Sequence, residues 1–226
     1  MSERAVFVAG APLRRDTREV AGALVELGGE RFYRIANHDA MAPFFMSLVS
    51  DSDHWLFASS NGALTAGRRD PDRALFPYYT DDRIHDSQDQ TGSKTLLHVA
   101  RAGMVSLWEP FSLRYQGLYR VERNLYKSVV GNKLLFEERN ADLALVFRYD
   151  WTTSERFGFV RRATLQNTGD TPVEIEVLEL LLQYPLQRLD RLGTTSGFEI
   201  LSTGVARQSG KAVVYQRCEA NGVQCD

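Results

Sequence analysis

The 226-residue sequence predicts an all-β protein, a large antiparallel β-sandwich with a short N-terminal helix. Three observations lead there. From Arg31 onward, aromatic and β-branched residues alternate with polar ones in run after run. Turn signals separate these runs at short spacing. Helical spacing occurs in only one segment, close to the N-terminus.

That segment follows a short strand. "DTRE", Asp16 to Glu19, has the form of a capping box, in which Asp16 accepts from first-turn amides and Glu19 reaches back. Val20, Ala23, Leu24 and Leu27 follow at helical spacing, and Gly28-Gly29 would stop the helix. Residues 1–30 therefore read as a lead-in and residues 31–226 as the sandwich. Strand candidates in the sandwich are "RFYRIA", "PFFMSLVS", "HWLFASS", "KTLLHVAR", "MVSLWEP", "LYRVERNLYKSVV", "NKLLFEER", "ADLALVFRYDW", "GFVRRATLQN" and "PVEIEVLELLLQY". Asn61-Gly62 sits where a tight hairpin turn belongs, and "VVGNKL", "ERNAD" and "QNTGDTP" mark later turns. Leu143, Leu145, Phe147 and Tyr149 share one face. Phe159, Ala163 and Leu165 share another, which Arg161 interrupts. Val173, Ile175 and Val177 oppose Glu174 and Glu176. One dry face and one wet face is the signature of antiparallel sheet. The tail "KAVVYQRCEANGVQCD" begins as a strand and stops, so the sandwich is expected to be truncated at its C-terminal end.

Composition excludes several function classes. Lys and Arg total 27 against 29 Asp and Glu, with no basic block, so no nucleic-acid partner is expected. No apolar run approaches the roughly 20 residues that span a bilayer, so no membrane partner is expected either. The N-terminus lacks a secretory plan, and a cytoplasmic location is the expectation. Cys218 and Cys225, the two cysteines, read as free thiols and cannot complete a zinc site. A Walker loop, a dinucleotide glycine fingerprint, HExxH and GxSxG are all missing. No cofactor and no metal are expected.

The chemistry-bearing residues concentrate in "RALFPYYTDDRIHD", Arg73 to Asp86. Tyr78 and Tyr79 could stack on a pyranose ring. Asp81, Asp82 and Asp86 could accept from sugar hydroxyls, and Arg83 could hold a carboxylate or phosphate. Adjacent Asp81 and Asp82 point to opposite faces of an extended segment, so they are not the two carboxylates of a glycosidase. A polar loop with internally paired charges explains the same residues. Arg68 and Arg69 could bind an anion, but pairing with Asp70 and Asp72 is the plainer account. Asp51, Asp53 and His54 in "SDSDHW" read as a turn that bonds its own backbone. Trp55, Trp108 and Trp151 read as packing residues, with one on an open sheet face a plausible sugar platform.

The stretch from Arg31 through "DDRI" resembles the amino-terminal region of the cellobiose- and chitobiose-phosphorylase type of glycoside hydrolase. That region begins "EYxI…TPxPWxNxL" and continues "G…VS…GGGYSFxxDPxxxRxTRYR". Pro43 matches the proline, Leu48 and Val49 the strand after it, and Asn61-Gly62 the glycine turn. Asp70-Pro71 matches the "DP" pair, and Arg73 with Tyr78-Tyr79 the "RxTRY" part. "RRATLQNTGDTPVEIEV" resembles the later "xxxTLxNxSxxxxxxxVxxYxE" hairpin. The resemblance covers Arg31 to about Leu186. It departs where the family's glycine run shrinks to Asn61-Gly62 and its arginine-rich stretch becomes "FPYYTDD".

The resemblance implies a galactose-mutarotase-like β-super-sandwich that supports a catalytic (α/α)6 barrel absent from this chain. Catalytic residues lie in that barrel, so none is carried over. The implied partners are an oligosaccharide and the barrel of the same polypeptide, with room for a homodimer. Arg68, Arg69, Tyr78, Tyr79, Asp81, Asp82, Arg83 and His85 are the expected rim or docking residues. Two alternatives stand beside this reading. One is a stand-alone mutarotase-like epimerase using His85 and His98 with Asp86 or Glu109. The other is a sugar-binding module.

Overall fold

The computed structural model describes residues 7–8, 11–12, 18–74, 78, 80, 82–155, 158–182, 204–208 and 211–215. Asp16, Tyr79, Asp81, Cys218 and Cys225 lie outside the described residues. The strands are β1 (Phe7–Val8), β2 (Ala11–Pro12), β3 (Ala21–Leu27), β4 (Glu30–Ala36), β5 (Phe45–Leu48), β6 (His54–Ser59), β7 (Leu64–Arg68) and β8 (Gly92–Arg101). They continue as β9 (Met104–Trp108), β10 (Val121–Ser128), β11 (Leu134–Asn140), β12 (Leu145–Ser154), β13 (Gly158–Asn167), β14 (Glu174–Leu182), β15 (Gly204–Gln208) and β16 (Lys211–Tyr215). Every pairing between them is antiparallel. An all-β antiparallel architecture is therefore observed. No helix among the described residues is long and apolar enough to cross a membrane.

The expected N-terminal helix is not formed. Residues 21–27 are strand β3, paired with β4 from Leu27↔Glu30 to Ala21↔Ala36. The reason lies in Gly28-Gly29. Both have positive φ, 59° and 82°, and they form a two-residue hairpin turn between paired strands. Turns of that type need φ > 0 at both central positions, which two glycines supply without strain. The glycines that read as a helix stop are a strand reversal, and the lead-in joins the large sheet as its edge strand.

Eight strands form one sheet in the order β15-β16-β13-β12-β11-β10-β4-β3. Two three-stranded sheets, β14-β8-β9 and β5-β6-β7, supply the opposing layer. The core joins all three. The large sheet contributes Leu125, Leu134, Phe136, Leu145, Phe147, Tyr149, Trp151 and Leu165; the small sheets contribute Met46, Leu48, Leu56, Ala58, Leu97, Val99 and Trp108. Alternation thus assigns faces as the sequence implied, with Phe159, Ala163, Val173 and Ile175 packed against this core. Arg161, the charge on the dry face of β13, lies over the Tyr149 ring at 4.7 Å. A guanidinium is tolerated there because the ring face offers negative potential.

Candidate functional site

The described residues of the Arg68–His85 region, singled out in the sequence, fold back on the β6–β7 hairpin, with Ala74 bridged to Gly67 and His85 held by Ser59 and Asn61. Arg68 and Arg69 do not pair with Asp70 and Asp72. Both converge on Asp53: Arg68 Nε donates to Oδ1 at 2.9 Å and Arg69 Nε to Oδ2 at 2.9 Å. Asp70 instead accepts from Arg73 Nη1 at 2.8 Å. The register explains the exchange. His54 lies opposite Arg68, so Asp53, one residue earlier, meets the end of β7. Hydrogen bonds from Arg68 and then Arg69 hold the Asp53 carboxyl down at about 2. The rest of "SDSDHW" is the expected turn, with Ser52 N–H donating to Ser50 Oγ at 3.2 Å and Ser52 Oγ 2.6 Å from His54 Nδ1.

Tyr78 is exposed and meets the Trp55 indole edge-on at 5.8 Å. Thr80 Oγ1 donates to Asp82, which lowers that carboxyl below its ordinary value. Arg83 is exposed. His85 is pinned: its Nδ1 is 2.8 Å from Ser59 Oγ, and its carbonyl accepts from Asn61 Nδ2 at 2.9 Å. His98, the other nominated imidazole, lies on β8 and faces Glu176 at 3.0 Å. Glu109 faces Lys94 at 2.8 Å. His85, His98 and Glu109 therefore each have a separate partner.

What the sequence did not single out is the company Trp55 keeps. Leu56 and Ala58 enter the core, so Trp55 and Phe57 stand on the opposite face of β6. Trp55 and Phe57 rings are 5.6 Å apart with 29° between planes; Phe57 and Phe45 are 5.3 Å apart at 35°. Phe45 is 41% exposed and Tyr78 49%. The result is a row of roughly parallel rings on the outer face of the β5-β6-β7 sheet, edged by Tyr78 and by the Arg68–Asp53–Arg69 cluster. Gly67 makes the row possible. A Cβ there would lie 2.5 Å from Trp55 Cζ2 and 2.7 Å from the Arg73 carbonyl oxygen. The signal was present in "HWLFASS", where period two separates Trp55 and Phe57 from Leu56 and Ala58. Phe45 could be added only once the β5–β6 register was known.

The fold and this surface define an antiparallel β-sandwich with an aromatic strip on an open sheet face. No protein-family model matches the chain, and no curated protein matches it.

Proposed function

We propose that the chain is a carbohydrate-associated β-sandwich domain that supports a catalytic (α/α)6 barrel and breaks no glycosidic bond itself. The observation that supports the carbohydrate reading is the ring row Phe45–Phe57–Trp55 with Tyr78 at its edge. Sugar rings have apolar C–H faces and polar rims. Flat aromatic rings bind the faces, and flanking charged groups bind the hydroxyls. Asp53, fully ionised and fixed by two arginines, is such a flanking acceptor. The pinned His85 and the resemblance of residues 31–186 to the phosphorylase-type sandwich agree with a rim role for this surface.

Calorimetric titration with β-linked glucan and chitin oligosaccharides tests the reading. The chain should bind one of these series in the millimolar range or tighter. Phe57→Ala and Tyr78→Ala should each weaken binding about fivefold to tenfold, the worth of one aromatic contact. Absence of heat with every series at millimolar sugar would count against it. Phosphorolysis or hydrolysis of cellobiose by this chain alone would overturn the non-catalytic half.

A further inference from the structure

A concavity lies elsewhere in the molecule, where the end of β9 and the connection after it meet the start of β10. Its volume is about 420 Å³, and Trp108, Glu109, Tyr115, Tyr119, Arg123 and Glu138 are among its walls. That is within the usual size of a small-molecule site. The walls are held by a closed set of hydrogen bonds. Glu138 accepts from Trp108 Nε1 at 2.8 Å, the Phe111 amide at 2.6 Å and Arg123 Nε at 2.7 Å. Arg123 Nη2 donates to the Ser112 carbonyl at 3.2 Å. Arg18 donates twice to Asp39, at 3.1 and 2.9 Å, and Arg120 Nε donates to Asp142 at 2.7 Å.

Glu109 is the exception. Its side chain is 2% exposed, and Oε1 faces Lys94 Nζ at 2.8 Å. Neither oxygen has a hydrogen-bond partner, so Oε1 has the Lys94 ion pair and Oε2 is buried with nothing. A buried acceptor left unsatisfied costs about 1 to 3 kcal/mol, more when it is charged. A donor that enters the cavity removes that cost.

The donor's chemistry follows from what surrounds it. Arg18, Arg120 and Arg123 balance Asp39, Glu109 and Glu138 among the walls, so the cavity carries no net charge to draw an ion. Lys94, shared with Asp89, faces the other Glu109 oxygen. What remains is a lone pair, best met by a neutral O–H. The half-buried rings of Tyr115 and Tyr119 add apolar surface for C–H groups. We propose that this cavity binds a neutral, polyhydroxylated molecule, a sugar or cyclic polyol, with Glu109 Oε2 accepting one of its hydroxyl protons. The site shares no residue with the aromatic strip, so either can fail alone.

The three indoles make the test selective. Trp55 belongs to the strip, Trp108 to the cavity and Trp151 to the core. Their assigned N–H signals in a two-dimensional ¹H–¹⁵N spectrum are followed during titration with glucose, N-acetylglucosamine and myo-inositol, and with putrescine as a cationic probe. At least one polyhydroxylated probe should move the Trp108 signal saturably in the millimolar range, with Trp151 still. Glu109→Gln should weaken that response about tenfold, since a charged acceptor is exchanged for a neutral one. Tyr115→Ala, on the half-buried wall, should weaken it as well and provides the check if Glu109→Gln does not fold. A response confined to Trp55 would leave the strip standing and overturn the cavity site. A Trp108 response to putrescine alone would overturn the ligand class, and no Trp108 response to any probe would overturn the proposal.

Discussion

His38 illustrates how a single side chain couples this fold to pH. It is buried beside Phe136, edge-on at 6.3 Å, and its Nε2 has no hydrogen-bond partner. Burial, opposed by Asp39 and assisted by Arg123 and Arg18, lowers its pKa from 6.5 to about 4. The unfolded chain therefore takes up a proton near 6.5 while the folded chain stays neutral until about 4. Full stability is kept above the first value and is lost as pH falls toward the second, by up to about 3 kcal/mol. Urea unfolding at a series of pH values should show this loss, and His38→Leu should flatten it. Tyr126 acts at the other end. Burial, and then Glu137, push its phenol up to about 12, so stability is lost as pH rises from about 10 toward that value. Gly67 is a steric counterpart. The Cβ of Gly67→Ala meets backbone as well as the Trp55 ring, so unfolding free energy should drop by about 1 to 3 kcal/mol. The Trp55 indole signal should shift in the same variant.

At the level of elements, the turns carry more information than the strands they join. Gly28-Gly29 decides that residues 21–27 form a strand. Alanine at both positions should destabilise the protein by about 1 kcal/mol per residue, because each would hold an L-residue at positive φ. Had the segment been helical, the same change would lengthen the helix and raise ellipticity at the helical band, so circular dichroism separates the two outcomes. The β10–β11 pair carries adjacent buried glutamates on opposite faces. Glu138 serves the core side, held by Trp108, Phe111 and Arg123. Glu137 lies on the other side among Asn124, Tyr126, Arg139 and Arg148. Burial opposes its ionisation, yet Arg139 and Arg148 keep its pKa below the ordinary value. Glu138→Ala would leave buried Arg123 with only Asp39, at 3.9 Å, as a counter-charge and should cost about 3 kcal/mol, measured by denaturant unfolding.

For the whole molecule, order in the sheets sets the hierarchy of stability. β10, β11 and β12 are flanked on both sides within the eight-stranded sheet, and all three feed the core. β3 is an edge whose residues are mostly exposed. Hydrogen exchange should therefore be slowest in β11 and its two neighbours and much faster in β3. Much of this layout was legible beforehand. Leu145, Phe147 and Tyr149 fell on the dry face, Arg161 interrupted its own, and Trp108 and Trp151 went to the core. The candidate site was legible in part. Tyr78, the arginines, Trp55 and Asp53 were each singled out, but not as partners of one another, because those contacts span 15 residues or more of chain.

Period two in side-chain direction is a local property of extended backbone, so the sequence by itself determined the all-β class and the dry and wet faces of the long strands after Arg31, but not that residues 21–27 are a strand. The question of which strand lies beside which is not local. Sheet order and register decided that Asp53 holds two arginines, that Phe45, Phe57 and Trp55 form one row, and that Glu109 keeps a buried oxygen without a donor. Only the tertiary structure could make these choices, because hydrogen bonds and ring contacts form between side chains that the fold brings within a few ångströms, whatever their separation along the chain.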